Sequence, residues 1–398
     1  MTIHRPLSIL LTPLVLCACN AILQAYSFIG LGDLPGGRNS SSAYGVSSNG
    51  AVVVGSVDSS FGHEAFRWTR SGGMVGLGDL GIGDLFPGNG FSFAAGVSVD
   101  GSVVTGTAHS PTGSEAFRWT QATGMVSLGD IPDGINFILG NAISGDGLVV
   151  VGEADANYTF YAFRWTSETG MVNMGFLDGV PPEDPTLDYS AATGVSGDGS
   201  VVVGQSNSGA GGQAFRWTTE DGLVPLGDLP GGRFGSRATA VSLDGQVVVG
   251  HGTSLSTRYL DEAFRWTSAD GMVGLGKLSG STTSIANGVS EDGSIIVGKS
   301  EVAFVWDSLY GMRNLQSVLA NDFGLGSSLT GWSLVEATAV SADGRAIVGF
   351  GINPAGDGEG WLAIIPEPST FTLIGFSLFG LFGLRKTNKM RMSIGRED

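Results

Sequence analysis

Four histidines, His4, His63, His109 and His251, are the residues that could first be asked to bind a metal or move a proton near neutral pH. They share none of the spacings that bring imidazoles onto one zinc ion, and the last three are expected as solvated residues in separate loops. Asp before Gly recurs at Asp100, Asp146, Asp198, Asp244, Asp292 and Asp343. Calcium needs about 6–8 converging oxygens, and one carboxylate per turn does not supply them, so these aspartates are read as turn residues. The Arg of a recurrent Ala-Phe-Arg-Trp phrase is read as a structural partner of nearby carboxylates. Gly-x-Ser-x-Gly, P-loop and His-Glu-x-x-His patterns are absent from the sequence, and no two carboxylates are convincingly paired for glycoside chemistry. The expectation is therefore a protein without catalytic residues, metal or cofactor.

What positions these residues is a repeat. A Val-Ser-x-Asp-Gly-x-Val-Val-Val-Gly phrase starts at Val46, Val97, Ile143, Val195, Val241, Val289 and Val340, with Asn49 in place of Asp in the first copy. Ala-Phe-Arg-Trp follows at Ala65, Ala116, Ala162, Ala214 and Ala263, then weakens to Ala303-Phe304-Val305-Trp306 and Gly360-Trp361-Leu362-Ala363. A Met-Val-x-Leu-Gly-Asp-Leu phrase, clearest at Met74, Met125 and Met272, completes the unit. The period is about 50 residues, longer than a solenoid coil and suited to four strands. Asp-Gly between two β-prone runs predicts a type I′ hairpin, with positive φ at both central residues. Alternation puts Phe66 and Trp68 on one face, Ala65 and Arg67 on the other.

The last repeat stops after Trp361–Ile365 and lacks its final strand, whereas Tyr26–Leu34 carries that strand alone. Two fragments that complete one unit point to closure, which removes exposed sheet edges. The predicted fold is all-β: a seven-bladed β-propeller of four-stranded antiparallel blades, closed by pairing of its N- and C-terminal strands. An open β-array is the alternative.

Connections on one face are tight, and those on the other vary in length. Variable loops on a rigid scaffold are where recognition usually resides. The long connections hold the candidate binding residues Phe86, Phe91, Phe93, Phe137, Tyr158, Phe160, Glu183, Asp184 and Tyr189.

The 398 residues include 66 glycines and only 14 % charged residues, and they carry a formal net charge of −17. An anionic body repels nucleic acid, so nucleic-acid binding is excluded. At the N-terminus, His4 and Arg5 precede an apolar stretch to Cys19 and small residues at Ala21 and Ala25. Residues 1–25 read as a signal peptide, with an uncleaved anchor or a lipoprotein signal as alternatives. Cleavage there removes Cys17 and Cys19, the protein's two cysteines, and with them all thiol chemistry.

After the repeat body (26–365), residues 366–398 hold Pro366, Glu367 and Pro368, an apolar run from Phe371 to Leu384 and a basic cluster beginning at Arg385. An apolar run followed by cations reads as a short membrane helix with a cytoplasmic end. The tail resembles the PEP-CTERM sorting signal of Gram-negative bacteria, although Met392–Asp398 extends past the basic cluster. That resemblance implies processing by an exosortase-type enzyme, transient membrane anchoring and delivery to the cell surface or extracellular matrix. A plain anchor is the alternative. The repeat phrases resemble the HAF repeat, although Glu64, Glu115, Tyr161, Gln213, Glu262 and Val302 stand where that family has His. The family implies an exported location and a shape, with no common activity. The functional expectation is a secreted, non-enzymatic binding or structural protein whose partner is an extracellular polysaccharide or a surface protein. The alternative is an extracellular polysaccharide hydrolase or lyase on the same scaffold.

Overall fold

The structure, a computed structural model, describes residues 26–81, 90–132, 134–177, 189–209, 211–232 and 234–365. Each repeat forms four antiparallel strands in sequence order. The first set is β2 (Ser41–Val46), β3 (Val52–Ser59), β4 (Gly62–Thr69) and β5 (Gly73–Gly76). The next is β6 (Gly90–Val97), β7 (Val103–Ser110), β8 (Gly113–Thr120) and β9 (Gly124–Ser127), and then come β10 (Gly134–Ile143), β11 (Val150–Ala156), β12 (Thr159–Thr166) and β13 (Gly170–Asn173). Short parallel bridges, Gly62 to Gly90 and Phe137 to Ser114, join these three sets edge to edge. Separate sheets follow: β14 (Ser190–Val195), β15 (Val202–Ser208), β16 (Gly211–Thr218) and β17 (Gly222–Pro225), then β18 (Ser236–Val241), β19 (Val248–Thr253), β20 (Asp261–Thr267) and β21 (Gly271–Gly274). Next are β22 (Ile285–Val289), β23 (Ile296–Ser300), β24 (Val302–Asp307) and β25 (Gly311–Asn314).

The last sheet is built from both ends of the body. β26 (Ser333–Val340), β27 (Ala346–Ile352) and β28 (Gly358–Ile364) receive β1 (Ser27–Gly30) as their outer strand. Ser27 lies opposite Ile364 and Gly30 opposite Trp361, the pairing expected from the two incomplete fragments. Between β25 and β26 the chain forms a helix, α1 (Leu315–Asn321), inside a connection expected to be loop. Asn314 caps it by accepting from the Ser317 N–H, and Leu315, Val318 and Leu319 are buried against the last two sheets.

Apolar clusters fill the space between consecutive sheets. Phe117 packs with Val52, Val54 and Ala65 of the preceding sheet, and Phe264 with Val201, Val203 and Ala214. The same contact joins the last sheet to the first, where Phe66 meets Ala346, Val348 and Leu362. The Phe of each Ala-Phe-Arg-Trp phrase is fully buried, while Trp119, Trp165 and Trp217 are only half-buried and cover the cluster edges. Opposite each Phe stands the glycine that ends Val-Val-Val-Gly. A Cβ on Gly204 would collide with the Ala191 carbonyl and come within 2.9 Å of the Phe215 ring.

Three local expectations are corrected. The Asp-Gly hairpin is not type I′: Gly101 has φ of 75°, but Asp100 stays out of the left-handed region. Asp100 instead accepts from Ser98 Oγ (2.6 Å) and the Ser102 N–H (2.9 Å), and this clamp fixes a turn with left-handed backbone only at Gly101. A turn with both residues at positive φ occurs instead at Asn157 (54°) and Tyr158 (65°). The recurrent Arg bonds backbone at three of its five positions: Arg67 Nη2 donates to the Gly101 carbonyl (3.2 Å), Arg118 Nε to that of Gly147 (3.3 Å) and Arg164 Nη2 to that of Gly199 (3.3 Å), stitching each sheet to the next turn, whereas Arg265 keeps the expected carboxylate partner, Asp270, at 3.8 Å. The histidines His63, His109 and His251 lie within strands, not loops.

Candidate functional site

The sequence-predicted residues form two aromatic groups on the face opposite the tight Asp-Gly turns. In the first, Phe91 on β6 stacks between two imidazoles, His63 on β4 (5.6 Å between centroids) and His109 on β7 (4.3 Å), with Phe93 edge-on at 6.1 Å. His63 Nδ1 lies 3.1 Å from Asp58 Oδ1. Burial pushes the His109 imidazole below its usual range, against the pull of Asp79.

In the second group, Phe160 on β12 meets Phe137 on β10 edge-on at 5.7 Å and Tyr189 at 6.4 Å. Tyr189 OH donates to Glu153 Oε2 at 3.1 Å. Burial, with the Glu153 charge second, pushes the Tyr189 phenol up to about 12. Burial also raises Glu153, opposed by the Tyr189 bond and by Arg237. Phe137 belongs to a strand rather than a loop, yet it is 42 % exposed, and Tyr158 at the tip of its turn is 88 % exposed. Phe86, Glu183, Asp184, Pro366, Glu367 and Pro368 lie outside the described residues.

A third feature was not anticipated. Each first strand carries a bulge where one residue drops out of the ladder: Tyr44, Ala95, Asn141, Thr193, Thr239, Asn287 and Thr338 sit at the register shifts. Freed from pairing, most of these side chains bond the next sheet. Thr193 Oγ1 donates to the Ala238 carbonyl (2.8 Å), Thr239 to that of Ala286 (2.5 Å) and Asn287 Nδ2 to that of Ala337 (2.9 Å). Asn141 Nδ2 donates to Ala192 (2.9 Å). The series surrounds an axial channel of about 230 Å³, lined also by Gly45, Gly96 and Gly194. On the long-connection face it adjoins a mouth of about 620 Å³, lined among others by Tyr44, Arg237, His251, Asn287, Glu336 and Phe350.

The mouth could have been found in the sequence as the column two residues before each bulge. Ser42, Arg237, Ile285 and Glu336 occupy it and line the mouth, a position that varies widely while the following Val-Ser-x-Asp-Gly phrase repeats.

No family model matches the chain, and no curated protein matches it. Among solved structures, it resembles oligogalacturonate lyase from Vibrio parahaemolyticus at 9% identity and a TM-score of 0.51, covering 86% of this chain and 98% of that one. It also resembles TolB from Acinetobacter baumannii at 13% identity and a TM-score of 0.43, covering 84% of this chain. The match spans 65% of that TolB's length. At such identities the likeness extends to fold alone: the protein is all-β and propeller-like.

Proposed function

We propose that the sheets are the blades of one seven-bladed ring, and that the protein is an exported, non-enzymatic binding scaffold of the cell surface or extracellular matrix. In this reading residues 1–25 direct export, and residues 366–398 anchor the chain transiently until an exosortase-type enzyme processes it. Closure of the ring is supported by β1 on β28 and by the packing of Phe66 against the last sheet.

The observation that carries the binding function is the Phe137–Phe160–Tyr189 array, with exposed Phe137 and Tyr158 on the variable face. Exposed aromatic carbon costs hydration and is retained where a partner covers it. Apolar ring faces suit the C–H faces of sugar rings, so the partner is an extracellular polysaccharide. The test is retention of purified protein on polysaccharide from the producing cells. A Phe137→Ala/Tyr158→Ala double variant should lose most of that retention while keeping its melting temperature. Unchanged retention would reject the array as the binding surface. Release of new reducing ends or unsaturated sugars would replace the scaffold reading with the hydrolase or lyase alternative.

A further inference from the structure

Arg237 stands on β18 at the rim of the axial mouth, directly opposite His251 on β19. Directly opposed residues on antiparallel strands project to the same face, and both of these line the mouth. Arg237 is half-buried and, among the described residues, its guanidinium makes neither a hydrogen bond nor an ion pair within 4 Å, although its charge reaches Glu153 from farther off. A cation withdrawn from water without a partner is costly, and an incoming anion offsets that cost.

The acidic groups nearby are otherwise engaged. Glu153 accepts from Tyr189, and Glu336 accepts from Asn287 Nδ2 (2.9 Å) with Lys299 Nζ 3.8 Å away. The Asp261 carboxylate acts on His251, whose imidazole it pulls toward the protonated form against burial. His251 Nδ1 is buried with no hydrogen-bond partner. The mouth therefore offers a fork of guanidinium donors beside the His251 imidazole. The protein as a whole is strongly anionic, so this pairing is not a consequence of its general charge.

The rest of the lining has the opposite hydrogen-bonding character. Asn141 donates an amide N–H to the Ala192 carbonyl and Asn287 donates to the Ala337 carbonyl and the Glu336 carboxylate, and among the described residues their Oδ1 atoms accept no hydrogen bond. Free acceptors of this kind suit hydroxyl donors. Tyr44, 38% exposed, adds an aromatic surface to the same lining. A ligand answering to all three carries a carboxylate, several hydroxyls and an apolar ring face. The mouth shares Tyr44, Asn141, Thr193, Thr239, Asn287 and Thr338 with the axial channel behind it, so a saccharide entering along the axis presents its end.

We propose that the axial mouth binds the terminal unit of an acidic saccharide, its carboxylate held by the Arg237 guanidinium and a second polar contact made by His251. The ligand class rests on the polysaccharide-binding reading above, but the site is separate from the aromatic array.

The test titrates the full chain with glucuronate, glucose and inorganic phosphate by ligand-observed NMR and calorimetry. Glucuronate should bind at least about tenfold more tightly than either of the others, the scale of one charge-assisted contact. Arg237→Gln should lose about tenfold or more. Arg237→Lys, which keeps the charge but not the planar fork, should fall between, and it remains informative if the Gln variant does not fold. Equal binding of glucose, or unchanged affinity in a folded Arg237→Gln protein, overturns the site. Phosphate binding as tightly as glucuronate overturns the saccharide assignment. Retention on neutral polysaccharide, lost only in the Phe137→Ala/Tyr158→Ala variant, separates failure here from failure of the array.

Discussion

Thr338 Oγ1 donates a hydrogen bond to the carbonyl oxygen of Ala43, 2.8 Å away and 295 residues earlier in the chain. It is the same contact that Thr193 makes to Ala238 and Thr239 to Ala286, except that here it links the last sheet to the first. The series lapses at Ala95, which has no hydroxyl to give, and at Tyr44, whose hydroxyl pairs with Ser56 Oγ at 3.3 Å.

Replacing Thr338 by Val keeps the side-chain shape and leaves the Ala43 carbonyl without this donor. The expected loss is about 1 kcal/mol in unfolding free energy, read from the denaturant midpoint. Thr193→Val should cost about the same. A neutral Thr338→Val beside a costly Thr193→Val would mean that the last-to-first junction does not share in the cooperative unit.

Two glycines should respond very differently to a methyl group. Gly227 has φ of 83° and open space around its would-be Cβ, so Gly227→Ala should cost about 1–2 kcal/mol from backbone strain alone. Gly204→Ala drives a methyl into the Ala191 carbonyl and the Phe215 ring, and should cost about 3 kcal/mol or more. Thermal denaturation of the two variants side by side gives the comparison, and similar losses would contradict the close strand-to-Phe contact.

Core and surface aromatics should separate cleanly. Phe163→Ala empties a fully buried position and should cost about 3–5 kcal/mol. Tyr158→Ala, at an exposed turn tip, should change stability by less than about 0.5 kcal/mol. Equal effects would show that the variable face is packed structure.

Acid should act on the protein through two opposed sets of groups. Burial lowers His109 and His251 below their ordinary value of 6.5, so the unfolded chain binds more protons there. Their contribution is complete above about pH 6.5 and is lost as pH falls through the lowered folded values. Asp100, held down first by Ser98, and Asp198, held down first by the Ser200 N–H, behave likewise below 3.8. Glu153, Asp33 and Asp228, raised by burial, have the reverse sign and gain stability as they protonate. A His109→Asn/His251→Gln protein should therefore gain melting temperature between pH 7 and 5, where the parent gains less or loses. Parallel profiles would remove the histidines from the account.

The strand order was legible because each repeated phrase codes a local event: Asp-Gly a reversal, Ala-Phe-Arg-Trp an alternating strand, and the orphan Tyr26–Leu34 a partner for the last repeat. The turn type was misjudged because the Ser98–Asp100 clamp is a side-chain bond that a dipeptide rule does not contain. The helix at Leu315 was missed because its apolar face is only two turns long and is defined by the sheets it covers. Arg237 and His251 looked unremarkable as single residues 14 positions apart. They become neighbours only through the β18–β19 register, and the mouth exists only once first strands from several repeats surround one axis.

Ser27 lies beside Ile364, and the Ile365 N–H bonds the Arg345 carbonyl within the tight-turn face. Whatever precedes residue 26 and whatever follows residue 365 must therefore depart from one corner of the body, on the side away from Arg237. A tether at either terminus holds the molecule in the same attitude, with its back to the support and its mouth outward. Tension on a tether after residue 365 would reach the body through β28, and on one before residue 26 through β1, neither of which lines the rim. A hold at either end would therefore leave the variable face turned the same way.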